Sequence, residues 1–340
     1  MRLTVLLTLL ALAPAAFAQR AGTLVVLNKA EATASVVDLA TGETVATLPT
    51  GVGPHEVAVS PDGRVAVGTD YGDQAVEGAS LTVIDLDSRE VRATVPLGEW
   101  ERPHGIAFLP DGRVAVTAER DSAVAVVDLG TGEIVAAPTG QAMSHMLAMS
   151  PDGRYAYTGN MMSASVSKVD LRDRQTVATA AVGPVPEAVA VRPGTGEVWA
   201  ASQEAGLVTV LDGEGLGEVG MAEVGGRPIR IAFTPDGSRA LVTSVVSSEL
   251  TVFDADTRER IGVVSLPNGP ETGNDAAASV PGGASALPIG VAVAPDGRTA
   301  WVALMGRDQV VEVDLESLSV VRYLDVGRWP DGIAFVPAPR

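Results

Sequence analysis

Pro103-His104-Gly105-Ile106-Ala107-Phe108-Leu109-Pro110-Asp111-Gly112 reads as a short apolar strand running into a tight turn. The Pro-Asp-Gly turn recurs at Pro61, Pro110, Pro151, Pro235 and Pro295. Degenerate copies stand at Pro193 and Pro337. The seven anchors are spaced by 49, 41, 42, 42, 60 and 42 residues. A second marker keeps step with them: Asp38, Asp85, Asp128, Asp170, Asp212, Asp254 and Asp314.

Around each anchor lie four runs of valine, isoleucine and alanine, bounded by glycine and aspartate turns. In the quoted unit these are Gly105–Phe108, Val114–Thr117, Ala123–Val127 and Ile134–Ala136. Such runs are strands, and no segment keeps a helical period. Four strands in about 42 residues is the size of a propeller blade. The expected fold is therefore all-β: a seven-bladed β-propeller of four antiparallel strands per blade, forming one domain over residues 19–340. The chain enters on a second strand, Thr23–Asn28, and leaves on a lone first strand, Ile333–Phe335. The last strand is expected to complete blade 1, which removes two open sheet edges.

The first eighteen residues stand apart. Arg2 precedes the apolar run Leu3–Leu12, and Ala16-Phe17-Ala18 has the pattern of a cleavage site. A signal peptide over residues 1–18 predicts a periplasmic or secreted protein without stable membrane insertion. There is no cysteine, which excludes disulfides and thiolate chemistry. The formal net charge is −18, with no basic run, which argues against a nucleic-acid partner. The sequence predicts a monomer, with an unidentified small molecule or protein as partner.

The repeat pattern resembles the YVTN-repeat, or YncE-like, β-propellers. The matching pieces are Leu241–Ser244, Trp301–Leu304, Thr82–Asp85 and Pro103–Gly112. The resemblance spans the mature chain and implies the propeller fold. Its members include surface and periplasmic binding proteins, and related propellers include lactonases and lyases. Fold alone does not assign an activity.

The links between blades share one face, the top, with the second-to-third-strand links. That face carries the long insertions, including Pro267–Pro288, which is expected to be the least ordered part of the mature chain. All three histidines open first strands there. In blade order this position reads Asp331, His55, His104, His145, Glu187, Ile229 and Ile289. A second ring, taken at the ends of the second strands, reads Asn28, Asp70, Glu119, Asn160, Ser202, Ser244 and Leu304. His55, His104, His145, Asp70, Glu119, Asn160, Glu187 and Asp331 are thus candidate ligand-binding residues. Trp100 and Trp329, in interblade loops, could wall the site.

Histidine with carboxylate suits zinc or copper, and His55, His104 and His145 are the candidate metal ligands. Five of the eight methionines fall between Met143 and Met162, which would favour copper or an adaptable binding surface. Sheets lie about 10 Å apart and a histidine reaches roughly 6 Å. Three blades can share an ion only if the ring is tight. No nucleophile elbow, zinc-protease helix, phosphate loop or dinucleotide fingerprint occurs, so no catalytic residue is assigned. The expected function is ligand binding or scaffolding at the top of the channel. The alternative is a metal-dependent, lactonase-like hydrolase or lyase using the same cluster.

Overall fold

The computed structural model describes residues 21–266 and 286–338. The expected signal peptide and residues 267–285, on which most of the expectation of disorder falls, lie outside the described residues. Seven four-stranded antiparallel sheets are present. Six run in simple chain order, inner strand to outer strand. Blade 1 instead takes its inner strand from the C-terminal end, Pro330–Pro337. That strand pairs with Gly22–Asn28 as expected, in antiparallel register: Ile333 opposite Val26, Ala334 opposite Val25, Phe335 opposite Leu24.

The repeated sequence markers have local causes. The carboxylate of Asp128 accepts the backbone N–H groups of Gly130 and Thr131, each at 2.8 Å. Asp38 and Asp254 do the same in their blades. This is an Asx turn, and it explains why aspartate ends the third strands. In the Pro-Asp-Gly turns glycine supplies the positive φ, as at Gly63.

Second and third strands are buried on both faces. Their valines and alanines pack between neighbouring sheets. Trp199 meets Phe233 of the next blade edge-on at 5.4 Å, and Trp301 stacks on Phe335 at 5.2 Å. The second pair ties blade 7 to the closing strand. Tyr157, Trp199 and Trp301 are therefore interblade core, as their shared sequence position implies. Among the described residues no helix is long and apolar enough to cross a membrane.

A chain ending at Arg328 should lose its closing strand and expose the Gly22–Asn28 edge. It should show no cooperative thermal transition and should associate, as read by circular dichroism and size-exclusion chromatography. A monomer melting like the full chain would contradict closure as the source of stability.

Candidate functional site

Every inner strand carries a one-residue register shift near its top. Such a bulge re-aims the side chains beside it. In blade 2 the shift lies between Pro54 and Val57 and contains His55 and Glu56. A threonine on the second strand caps several of these bulges. Thr69 Oγ1 accepts the N–H of Glu56 at 3.0 Å, Thr117 that of Gly105 at 2.9 Å and Thr243 that of Arg230 at 3.2 Å. Two consecutive residues of each inner strand are thereby placed where the sheets converge.

In six of the seven blades the residue before the inner strand is unusual too. Gly53, Arg102, Met143, Val185, Leu287 and Trp329 all have φ between +48° and +61°. The left-handed region costs a non-glycine residue about 1–3 kcal/mol unless its surroundings impose it. A backbone bond pins these residues. Their carbonyls accept from the residue just past the second strand: Glu119 to Arg102, Lys29 to Trp329, Met161 to Met143 and Met305 to Leu287. In blade 2 glycine is required outright, because a Cβ on Gly53 would fall 2.1 Å from the Gly72 carbonyl oxygen.

The register corrects the second ring read from the sequence. Pro54 pairs with Asp70 and Ser144 with Asn160, but Pro103 pairs with Ala118. Ala118 is thus the counterpart of Asp70, and Glu119 lies one residue further along. The ring to which Glu119 belongs reads Lys29, Tyr71, Glu119, Met161, Gln203, Val245 and Met305. Asp70 and Asn160 do not join the histidines. Asp70 accepts from Ser80, Thr82 and the Gly51 N–H, and burial pushes its carboxyl up. Asn160 binds Ser144, Ser165 and Ser167. Both pin loops inside their own blades. Trp100 packs in the core between blades 2 and 3.

The remaining candidates converge. His104 and His145 rings lie 3.6 Å apart between centroids, and His55 lies 5.0 Å from His104. His145 donates from Nδ1 to Glu119 at 2.5 Å and from Nε2 to Glu187 at 3.1 Å. Tyr71, which the sequence reading missed, donates to the other Glu119 oxygen at 2.7 Å. His55 donates Nδ1–H to the Gly53 carbonyl at 2.7 Å. His104 is almost wholly buried, and its Nδ1 has no protein partner. Among the described residues, one group places potential ligand atoms within 4.8 Å of one another: His104, Glu119 and His145. Glu119 takes the place in this group that the sequence reading assigned to His55.

Below them a buried strut crosses the channel. Arg230 of blade 6 donates to Glu56 of blade 2, at 3.0 Å from Nε, and lies 3.5 Å from Glu187 and 4.0 Å from Asp331. Lys29 approaches Asp331 at 3.5 Å. Arg230 is thus consumed inside the channel.

Environment sets each charge. Burial, with Lys29 nearby, drives His55 down to about 3. Burial and the neighbouring His145 hold His104 well below its ordinary value. Burial opposes the charge on His145 as well, but Glu187 and Glu119 outweigh it and raise the ring to about 9. Burial likewise opposes ionisation of Glu187, but His145 and Arg230 bring it to about 2. The cluster is therefore one imidazolium between two glutamates, flanked by two neutral imidazoles. A neutral His55 with its proton on Nδ1 keeps a lone pair on Nε2.

Above this floor opens a pocket of about 1160 Å³, whose walls include His55, Tyr71, Glu119, Arg102, Met143, Met162 and Trp329. A smaller cavity of about 610 Å³ on the opposite face is lined by hairpin residues such as Asp236, Arg239 and Arg298. Arg298 there is paired with Glu316, and the lining holds no histidine or aromatic residue.

No family model matches the sequence, and no curated protein matches it either. Solved structures do match by fold. Hydrazine synthase of Kuenenia stuttgartiensis is 19% identical with a TM-score of 0.65, covering 86% of this chain and 92% of that one. A functionally unknown protein from Desulfotomaculum acetoxidans DSM 771 is 14% identical with a TM-score of 0.75, covering 94% and 100%. At these identities the likeness shows the seven-bladed propeller fold alone.

The shifted groups imply a stability maximum near pH 6.5 for the metal-free protein. The His55 value is lowered from 6.5 to about 3, so its contribution is lost as pH falls below 6.5. Glu187, lowered from 4.5 to about 2, adds to the acid loss. The His145 value is raised from 6.5 to about 9, so its contribution is complete below 6.5 and lost as pH rises through 9. Urea unfolding between pH 4 and 10 checks this, and stability still rising at pH 9 would contradict it.

Proposed function

We propose that the mouth of the channel is a divalent-cation centre that helps bind a small molecule from the pocket above it, in a secreted binding protein. One observation carries this reading: the buried, unpartnered Nδ1 of His104 beside Glu119 and His145. A buried polar atom without a partner costs about 1–3 kcal/mol and calls for an explanation. Two imidazoles and one carboxylate are a donor set that zinc accepts, with a fourth position left for a ligand. Copper is its competitor on affinity.

The supporting groups fit the same role. Glu187 would hold the His145 ring through Nε2–H, and Tyr71 would hold the second oxygen of Glu119. Metal-binding histidines and carboxylates characteristically have such partners. The Nδ1 proton between His145 and Glu119 is the one a cation would displace, so binding should release protons and weaken in acid. The methionines that line the pocket, Met143 and Met162, serve as an adaptable wall.

A second reading is a hydrolase or lyase on the same centre. The lone pair on neutral His55, at the pocket floor, favours it. It would accept a hydrogen bond from a substrate polarised beside it, since a ring held at about 3 is too weak a base to take the proton outright.

Calorimetric titration of metal-depleted protein with Zn²⁺ and Cu²⁺ tests the proposal. Wild type should bind one equivalent. His104→Ala and Glu119→Gln should each lose most of that affinity, and Tyr71→Phe about 10-fold or more, as expected for a group behind a ligand. Circular dichroism should show all three folded. Absence of binding by wild type, or equal binding by His104→Ala, would overturn it.

A further inference from the structure

The chain carries 42 acidic residues against 24 basic ones, yet the pocket reverses that balance. Lys29, Arg102, Arg120 and Arg328 line it, against the carboxylates of Asp73 and Glu119. The cations come from two walls, one on blade 1 and one on blade 3. Arg328 and Lys29 stand side by side because the link into blade 1 pairs with the turn after its second strand: Lys29 N–H donates to Trp329 and Ala30 N–H to Arg328. On the other wall, Arg102 is held with its guanidinium 4.9 Å above the Tyr71 ring, and Arg120 pairs with Glu77 and Glu101.

Two features lack a structural use. Arg328 is exposed and forms no ion pair among the described residues. The Trp329 indole lines the pocket, and its buried Nε1–H has no acceptor in the protein. Arg328 presents its charge to the pocket, and the Trp329 ring, packed on Ile229 and Ile289, walls the pocket beside it. The lining also carries apolar side chains, Ala30, Ala32, Val52 and Met143 among them, and Met162 is 78% exposed. An apolar side chain so exposed beside a cavity offers a contact surface to a ligand body.

We infer that the pocket takes a small amphipathic anion. Its oxyanion head, a carboxylate or phosphonate, lies toward Arg328, Lys29 and the Trp329 indole, and its apolar body lies against Met162. The inference rests on the mouth being a ligand site. It does not require the metal.

The test uses three probes of one shape on metal-depleted full-length mature protein: benzoate, phenylphosphonate and neutral benzamide. Binding is followed by NMR titration of the tryptophan indole N–H signals. At least one of the two anions should bind saturably and shift one indole signal, and the two arms distinguish carboxylate from phosphonate. Benzamide should bind at least about tenfold more weakly, as should the anions to Lys29→Ala/Arg328→Ala, since each tenfold is one lost charged contact of ordinary size. Trp329→Phe should lose the shifted signal while keeping the fold. Equal binding of benzamide, or unchanged anion affinity in the double variant, would overturn the inference. Repeating the titration with one equivalent of Zn²⁺ separates the two ideas. Anion binding without zinc uptake would sink only the metal centre. Anion binding that needs zinc and ignores the double variant would sink only this inference.

Discussion

The pairing of Pro330–Pro337 with Gly22–Asn28 is the constraint on which the molecule depends. It turns seven sheets into a closed ring, so no inner edge is left to associate. A closed ring also forces seven inner strands toward one axis. Convergence leaves little room there. Small residues relieve it: a Cβ on Gly105 would meet the backbone of Met146 and Leu147, and one on Gly332 the carbonyl of His55. At the same inner-strand position blades 2 and 6 carry Glu56 and Arg230, which meet across the channel. The strut from Arg230 to Glu56 crosses it and makes the mouth a blind pocket above a buried charge network.

Crowding and burial then decide protonation. Four carboxylates, those of Glu56, Glu119, Glu187 and Asp331, meet near the axis with Arg230, Lys29 and His145 between them. Identical side chains end in opposite states there. His145 keeps its charge because two glutamates face its two nitrogens, while His104, stacked on it, has no carboxylate partner and stays neutral. A charged ring lies beside a neutral one with an unpartnered nitrogen: a divalent cation entering between them would displace the His145 proton and so add one net charge rather than two.

The polarity of the mouth is split by blade. Blades 1 to 5 present Asp331, the three histidines and Glu187, whereas Ile229, Ile289, Val245 and Met305 form an apolar cluster on blades 6 and 7. The pocket opens over the polar half. The left-handed residues at the head of the inner strands hold side chains as different as Arg102, Met143 and Trp329 in one backbone state. A common scaffold position is thus filled with different chemistry blade by blade, as expected where function sits on loops fixed by a rigid frame.

The sequence by itself determined the ring. Blade count, strand order, closure and the shared position of the three histidines all follow from a repeat read at fixed spacing, because turns and alternating strands are local properties of the chain. Glu187 and Asp331 were legible for the same reason. What the sequence could not settle was register within one residue. Asp70 and Glu119 look equivalent when counted from a turn, yet the pairing of Pro103 with Ala118 moves Glu119 onto the channel and leaves Asp70 inside its blade. A one-residue shift reverses the direction of a side chain on a strand. Tyr71 was missed on the same account, and nothing in the sequence marks Arg230 as a channel residue, which its place beside a bulge makes it. Tertiary structure decided these because bulges, cross-channel ion pairs and burial depend on seven segments meeting at one axis, and no single segment records that meeting.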